Sequence, residues 1–560
     1  MMIELVEKSR NEGEINIASY LTQMAQKHPD KRAVVFPFCR DRCGRVAYSH
    51  LTFQQLDRES DTVAFGLEEM GIQRGVRTVL MVKPGIEFFV LTFALFKVGA
   101  IPVVVDPGMG IARLLRCLGE TEPEAFIGIS LAHVIRVLFP KYFKNVDRVA
   151  TVGRKWFWGG ETYKSLSSRP WQPYMPAGIH ADDTAAILFT TGSTGPAKGA
   201  VYTHRNFAAQ IESIRACFTI GEDEIDLPTF PLFALFDPAL GMTAIIPDMD
   251  PTRPAKVNPD RILEAIENHG VTSIFASPAL LNRVGRHCEE HQLQLPSLRR
   301  VVSAGAPVSS DNIARFAALL KDSAEIYTPY GATEAMPVAV IGSYEILMDT
   351  AMLSEKGFGI CVGLPAHGIQ LKIIRILDLP IETWTDELEV PDGDIGEIVV
   401  QGDVVTRAYF QNPQADADGK IRDADGFWHR MGDLGWKDKA GRIWFCGRKS
   451  HRVETQEGPL YTIPCETVFN RHPSVFRSAL VGVGLVGDQT PVICIELMHK
   501  PSRRELTAIK EELLQASKAH VLTRQIETIL FHKGFPVDIR HNAKIFREKL
   551  AEWAARKVKA

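Results

Sequence analysis

The stretch ILFTTGSTGPAKGAVYTH, residues 187–204, decides how the fold of this chain is interpreted. The short apolar run at residues 185–189 is typical of a buried strand. The loop that follows, residues 190–199, holds three glycines, three threonines, one serine and Lys198. Small residues let backbone N–H groups approach a ligand, hydroxyls add donors and the lysine adds a charge, so the loop predicts a polyphosphate ligand. Because no Gly-Lys-Ser/Thr ends it, the loop is not a Walker motif, and on composition alone a plain surface connection remains open.

The composition favours a globular protein with more than one domain. The chain has 560 residues, 45% of them hydrophobic and 23% charged, and a net charge of -3. That length exceeds one ordinary core, and the charge balance gives no reason to expect a nucleic-acid partner. The start, MMIELVEKSRNEGE, is charged where a signal peptide would be apolar, and the nine cysteines are scattered without CxxC pairs. We therefore expect a cytoplasmic protein with reduced thiols.

Strands and helices alternate on both sides of the opening stretch. Before it, strand-like runs at residues 77–82, 101–106 and 124–129 are separated by helical patterns at 85–100 and 111–120. After it, strand-like runs recur at residues 271–277, 299–305 and 324–331. Alternation of this kind predicts βαβ units and parallel sheets. The fold class is therefore α/β, with two βαβ-type sheet subdomains in a large N-terminal domain.

The pattern of predicted secondary structure changes toward the C-terminus. Residues 391–447 contain short strand-like runs separated by glycine and aspartate, a pattern that predicts a small β subdomain. Residues 448–560 contain strand-like runs (478–484, 492–497) and helical patterns (502–518, 521–532), which predict a separate small α+β domain. We place the domain boundary between residues 447 and 448.

Six further short motifs follow the loop in a fixed order. They are SAGAP (303–307), YGATE (330–334), GEIVVQG (396–402), MGD (431–433), GRK (447–449) and RHNAK (540–544). With this ordered set the chain resembles the adenylate-forming superfamily of acyl-CoA synthetases, luciferases and peptide-synthetase adenylation domains. The resemblance runs from about Thr52 to the end, and it makes residues 1–447 the adenylation domain and residues 448–560 a small mobile domain.

The resemblance implies a site for ATP and Mg²⁺. Glu334 would hold Mg²⁺, Thr333 would touch the α-phosphate, and Lys544 would reach the forming acyl-phosphate bond from the small domain. Asp433 and Arg448 would bind the ribose, whereas we expect Lys449 and Arg452 to be solvated. The β- and γ-phosphates and the adenine would be held by two groups of residues: Thr190, Thr191, Gly192, Ser193, Thr194, Gly195 and Lys198, and then Ala304, Gly305, Ala306, Tyr330 and Gly331.

Several positions depart from the pattern of acyl-CoA synthetases. In the acid-binding motif FPLFALFDPALGMTAIIP, residues 230–247, Ala234 stands where a histidine is common. The hinge ends in His451 instead of an aspartate, residues 452–466 are longer than the usual glycine segment, and the terminal motif reads NAK. Together with TFPLFALFDPALG, PDMDPTRPA and GRKSHRVET, these changes resemble the β-lactone synthetase branch of bacterial long-chain olefin biosynthesis.

That branch implies a particular substrate and second step. A long-chain 2-alkyl-3-hydroxy acid would be adenylated, and its own 3-hydroxyl would displace AMP to close a β-lactone without CoA. The pathway would also include a thiolase-like enzyme, a reductase and a lactone decarboxylase as possible partners. Phe230, Phe233, Phe236 and Asp237 would bind the acid, and Leu235, Leu240 and Met242 could help line the same tunnel.

Three questions stay open at this level. Asp237 or His451 could be the base for the 3-hydroxyl, although a capped loop carboxylate is the favoured interpretation of Asp237. A fatty acid–CoA ligase, and more distantly a non-catalytic nucleotide-binding protein, are the alternative functions. The basic and aromatic segment 132–160 is interpreted as a solvated helix and loop, with membrane-surface contact as the alternative.

Overall fold

The computed structural model describes residues 15–189, 197–537 and 545–558. Strands are numbered in chain order: β1 (Arg32–Arg40), β2 (Val46–Thr52), β3 (Arg77–Met81), β4 (Ile101–Val104), β5 (Ala125–Ile129), β6 (Arg148–Val152), β7 (Glu161–Thr162), β8 (Thr184–Phe189), β9 (Gly199–Thr203), β10 (Ile225–Pro228), β11 (Thr243–Ile245), β12 (Ser273–Ala276), β13 (Arg300–Ser303), β14 (Glu325–Ala332), β15 (Ala335–Gly342), β16 (Ile360–Pro365), β17 (Gln370–Ile374), β18 (Gly396–Gln401), β19 (Ala408–Tyr409), β20 (Lys420–Asp423), β21 (Gly426–Lys437), β22 (Ile443–Arg448), β23 (Val453–Thr455), β24 (Gly458–Leu460), β25 (Val475–Leu485), β26 (Asp488–Leu497) and β27 (Thr528–Phe531).

The longer helices are numbered in the same way: α1 (Ser19–Lys27), α2 (Phe53–Glu69), α3 (Ile86–Val98), α4 (Ile111–Glu120), α5 (Ser130–Leu138), α6 (Tyr163–Ser167), α7 (His204–Phe218), α8 (Phe236–Leu240), α9 (Pro259–His269), α10 (Pro278–His291), α11 (Ser310–Ala317), α12 (Pro413–Gly419), α13 (Thr462–Asn470), α14 (Arg503–Ala519) and α15 (Arg547–Val558). Short α turns (Ser343–Glu345, Ala351–Leu353) alternate with π turns (Ile346–Thr350, Ser354–Phe358). The 3₁₀ turns are Pro107–Met109, Pro140–Tyr142, Phe233–Leu235, Pro254–Lys256, Asp386–Leu388 and Lys449–His451.

The first sheet confirms the predicted parallel βαβ arrangement. Its eight strands have the order β19-β9-β8-β4-β3-β5-β6-β7, with β8-β4-β3-β5-β6-β7 parallel. Helix α3 between β3 and β4 is buried from residue 88 to 98, because its apolar side chains leave no polar face. Gly99 ends this helix at φ 72°, a left-handed conformation that glycine adopts without strain.

The strands of the predicted β subdomain continue the second sheet. In the described residues this sheet has 14 strands, parallel from β1 through β11, β10, β12 and β13 to β14, after which β15, β16, β22, β21, β18 and β17 follow antiparallel. The other two strands are antiparallel as well: β2 pairs with β1, and β20 pairs with β21. The short strands of residues 391–447 therefore extend an existing sheet, since β16 pairs with both β15 and β22. This continuity places residues of the MGD and GRK motifs near those of YGATE.

The C-terminal residues form a three-stranded sheet, β25-β26-β27, with helices α13, α14 and α15 beside it. Helix α14 confirms the helical pattern at 502–518, but the helix predicted at 521–532 is wrong. Thr528–Phe531 is a strand paired in parallel with β26. A short apolar run fits either structure by its periodicity, and the free edge of β26 decided this one. Among the described helices, none is both long and apolar enough to cross a bilayer.

Candidate active site

Glu334 is held at the turn between β14 and β15. Its Oε1 accepts a hydrogen bond from the Tyr409 hydroxyl at 2.8 Å, and its backbone carbonyl accepts from Thr406 N at 2.8 Å. The Tyr202 hydroxyl donates to the carbonyl of Thr333. Tyr202 lies on β9, which follows the glycine-rich loop, and Tyr409 lies on β19, which pairs with β9. The edge of the first sheet thus fixes both candidate residues of the YGATE motif.

Two lysines approach the same tyrosine. The Nζ of Lys198 lies 5.0 Å from the Tyr409 ring centroid, and the Nζ of Lys420 lies 5.8 Å from it and donates to the Thr406 carbonyl. Burial lowers the pKa of Lys420 to about 7, opposed by the charge of Glu334. Sequence reasoning singled out neither Tyr409 nor Lys420, because neither belongs to a motif that indicates chemistry. Tyr409 thus donates to the Glu334 carboxylate, and Lys420 is close enough to feel its charge.

Asp433 joins β21 to the aromatic residue of the YGATE motif. Its Oδ2 accepts from the Tyr330 hydroxyl at 2.6 Å, and its Oδ1 lies 3.0 Å from Arg448 Nη1 in an ion pair. Burial raises the pKa of Asp433, whereas the Arg448 charge lowers it. Oδ1 is buried, and apart from this ion pair no described group donates to it. This oxygen therefore has acceptor capacity left for a ligand hydroxyl.

A single cavity connects the adenylate motifs to the acid-binding motif. Ala304 and Gly305, just after β13, line it together with Gly331; Ala306 is not part of its wall. Gly305 has φ 93°, which suits glycine at the bend after the strand. The apolar wall includes Ile214, Phe218, Ile220, Phe233, Phe236, Leu240, Met242, Phe275, Val302 and Met336. Of the candidate acid-binding residues, Phe233, Phe236 and Asp237 line this cavity, whereas Phe230 and Leu235 do not.

The interior of this cavity carries polar groups that the sequence did not single out. Asp226 of β10, Ser273 of β12 and Arg300 of β13 line it. Arg300 is paired with the buried Glu224, with Nη2 3.1 Å from Oε1. Burial raises the pKa of Asp226, while the Ser273 hydroxyl and the Arg300 charge favour its ionised form. The only sequence signal was an aspartate inside the short strand pattern IDLP.

The interpretation of Asp237 as a capped loop carboxylate is wrong. The residue lies in the short helix α8, where its backbone carbonyl accepts from Met242 N at 2.8 Å. Its side chain is buried, and Oδ2 has no hydrogen-bond partner among the described residues. Burial, and secondly the charge of Asp226, raise its pKa well above the usual range. Burial thus favours the protonated form of Asp237.

Lys449 and Arg452, expected to be solvated, are largely buried at their side chains. Lys449 Nζ lies 3.1 Å from Glu397 Oε2, and Arg452 Nη2 lies 2.6 Å from Asp378 Oδ2. The reason is tertiary, since β18 brings the buried Glu397 beside the hinge. His451 lies 3.4 Å from Glu548 of α15, and burial lowers its pKa.

Part of the predicted site lies outside the described residues: Thr190, Thr191, Gly192, Ser193, Thr194, Gly195 and Lys544. The segment 132–160 is described and exposes several large apolar side chains, among them Trp156 (50%) and Phe157 (77%). This exposure agrees with a solvated loop as well as with membrane contact, so that question stays a prediction.

Comparison with known proteins identifies the family. A model described as AMP-binding enzyme matches residues 21–410. The chain is 49% identical to an olefin beta-lactone synthetase of Stenotrophomonas maltophilia, covering 96% of this chain and 98% of that protein. It is 47% identical to an olefin beta-lactone synthetase of Xanthomonas campestris, covering 96% and 97%. The fold is similar to that of the amide bond synthetase McbA from Marinactinospora thermotolerans, with a TM-score of 0.77, 20% identity and coverage of 96% and 99%. The chain therefore belongs to the AMP-binding enzymes, in the branch of the olefin β-lactone synthetases.

Proposed function

We propose that the protein converts a long-chain 2-alkyl-3-hydroxy acid into a β-lactone. The carboxylate attacks the α-phosphate of ATP and pyrophosphate leaves. The 3-hydroxyl then attacks the acyl carbonyl and releases its proton, and AMP leaves as the four-membered ring closes. The observation that carries this proposal is the shared cavity, whose wall includes Gly305 and Gly331 of the adenylate motifs and the apolar residues of the acid-binding motif. The names of its relatives from Stenotrophomonas and Xanthomonas support the choice of product.

In the first step the residues act by positioning and by charge. The loop residues Thr190 to Gly195 and Lys198 hold the β- and γ-phosphates, Thr333 contacts the α-phosphate, and Lys544 offsets charge at the forming bond. Ala304, Gly305, Ala306, Tyr330 and Gly331 frame the adenine. Asp433 accepts from the ribose and Arg448 donates to it, which suits Oδ1 of Asp433, a buried oxygen that the Arg448 ion pair leaves with acceptor capacity.

Glu334 is the candidate ligand for Mg²⁺. Carboxylate oxygens suit this hard cation, and Tyr409 engages only Oε1 of the two carboxylate oxygens. When bound, Mg²⁺ would neutralise charge on the phosphate oxygens. The Tyr409 hydroxyl keeps the carboxylate oriented for this purpose.

The second step needs no external nucleophile. The 3-hydroxyl is on C3 of the same acyl chain whose carbonyl carbon, C1, carries the adenylate. Such tethering supplies a high effective concentration of the nucleophile. Burial favours the protonated form of Asp237, and a protonated carboxyl cannot take up the hydroxyl proton, which argues against Asp237 as the base. His451 is neutral at that pH, but it lies at the hinge and is not among the residues of the cavity wall.

We also propose the setting in which this reaction takes place. The enzyme works in the cytoplasm beside a thiolase-like enzyme, a reductase and a lactone decarboxylase, an arrangement that rests on the family resemblance alone. Co-purification from the producing cells tests it, and an enzyme recovered alone and fully active would contradict a stable association.

Product analysis tests the reaction itself. The enzyme is incubated with a 2-alkyl-3-hydroxy acid, ATP and Mg²⁺, with and without CoA, and the products are identified by mass spectrometry. We expect the lactone, the acid less one water, in equal amounts in both reactions, together with AMP and pyrophosphate. A thioester that requires CoA would instead assign the protein to the fatty acid–CoA ligases.

A further inference from the structure

Asp237 is an unusual group for the wall of a cavity that receives hydrocarbon chains. The residue is 5% exposed, and the side chains beside it in the wall include Phe233, Phe236 and Leu240. Its Oδ2 is buried and has no hydrogen-bond partner among the described residues. A buried polar atom without a partner costs free energy, so such an atom facing a ligand cavity indicates a polar group on the ligand.

The backbone holds this carboxyl in place. Asp237 lies in α8, which Gly241 ends in a left-handed conformation, and the Asp237 carbonyl accepts from Met242 N. Pro238 follows directly and restricts the chain further. The main chain at Asp237 is therefore fixed, and its side chain starts from a buried position beside the cavity.

The charge state of the carboxyl decides what it can bind. Asp226 lines the same cavity, and two carboxyls in one apolar space do not both ionise. Asp226 has Ser273 and Arg300 beside it, whereas the described surroundings of Asp237 offer no cation that lowers its pKa. Burial and the charge of Asp226 both favour the protonated form of Asp237, which presents one O–H donor together with acceptor oxygens.

We propose that Asp237 recognises the substrate hydroxyl and so selects a hydroxy acid over an acid with a plain hydrocarbon chain. A hydroxyl has one donor and free lone pairs, the complement of a neutral carboxyl. An ammonium group on the ligand could not accept a hydrogen bond from the Asp237 O–H, and a methylene group would leave Oδ2 without a partner. This inference rests on the proposed function and names the group by which the same cavity distinguishes its substrate.

The test measures the first half-reaction alone, by ATP–pyrophosphate exchange. Wild type, Asp237→Leu and Asp237→Asn are each assayed with a 2-alkyl-3-hydroxy acid and with the 2-alkyl acid that lacks the hydroxyl. We expect wild type to prefer the hydroxy acid about 10- to 100-fold in kcat/KM, the loss expected when a buried polar atom is left unpaired. In Asp237→Leu the preference should fall to within about threefold of unity. Asp237→Asn should keep most of it, because an amide also offers a donor and an acceptor.

Three results would overturn the inference. The first is an equal kcat/KM of wild type with both acids, and the second is an undiminished preference for the hydroxy acid in Asp237→Leu. The third is an Asp237→Asn enzyme that catalyses ATP–pyrophosphate exchange normally but forms no lactone, which would make Asp237 a base. If Asp237→Leu does not fold, as judged by its thermal unfolding, wild type and Asp237→Asn still decide. A hydroxyl preference in exchange combined with a CoA thioester as product would refute the proposed function and leave the recognition standing.

Discussion

Replacing Tyr409 by phenylalanine tests whether this side chain positions Glu334. The substitution removes one hydroxyl, which donates to Glu334 Oε1 over 2.8 Å from a residue that is 7% exposed. Burial and the Glu334 charge raise the Tyr409 pKa, so the hydroxyl stays protonated and donating. The ring remains, and with it the contacts to Lys198 and Lys420. The loss is therefore that of one hydrogen bond to a charged acceptor, about 1.5–3 kcal/mol.

If this energy serves to orient Glu334 in the transition state, kcat/KM for ATP–pyrophosphate exchange should fall about 10- to 100-fold. The concentration of Mg²⁺ needed for half-maximal exchange should rise. Tyr163→Phe is the matched control, since the Tyr163 hydroxyl also donates to a glutamate, Glu59, away from the candidate site. It should cost comparable stability but leave exchange within about twofold. A Tyr409→Phe enzyme that matches wild type at every Mg²⁺ concentration would refute the positioning role.

Three further predictions concern other parts of the chain. Lys544→Ala should lower exchange by about 100- to 1,000-fold, as loss of a donor at developing charge does, and undiminished exchange would show the residue misplaced. Burial lowers the pKa of His133 to about 4, below its value of about 6.5 in an unfolded chain, so its contribution is present above pH 6.5 and is lost as the pH falls toward 4. Between pH 7 and pH 5, wild type should therefore lose about 1–2 kcal/mol more unfolding free energy than His133→Gln in urea titrations; equal losses would contradict the assignment. If segment 132–160 is a solvated loop, wild type should not sediment with vesicles containing anionic lipids, whereas sedimentation abolished by Trp156→Ser with Phe157→Ser would establish membrane contact.

The failed expectations share a physical cause. The strand Thr528–Phe531 lies in a segment predicted as a helix, because a short apolar run fits either structure by its periodicity, and the free edge of β26 decided its structure. Lys449 and Arg452 were assigned to solvent because isolated charges usually face water. Their burial depends on Glu397 and Asp378, which are more than 50 residues away in sequence. Partners so distant leave no local signal.

The sequence by itself determined the alternation of strands and helices, the glycine-rich loop and the ordered motifs, because periodicity and turn chemistry are local properties. It thereby also determined the family. Only the tertiary structure decided which motif residues share a cavity and which groups surround them. The pairing of Tyr409 with Glu334 joins strand β19 to the turn after β14. The raised pKa of Asp237 follows from burial and from the charge of Asp226. Both depend on distances across the fold, which the order of residues along the chain does not contain.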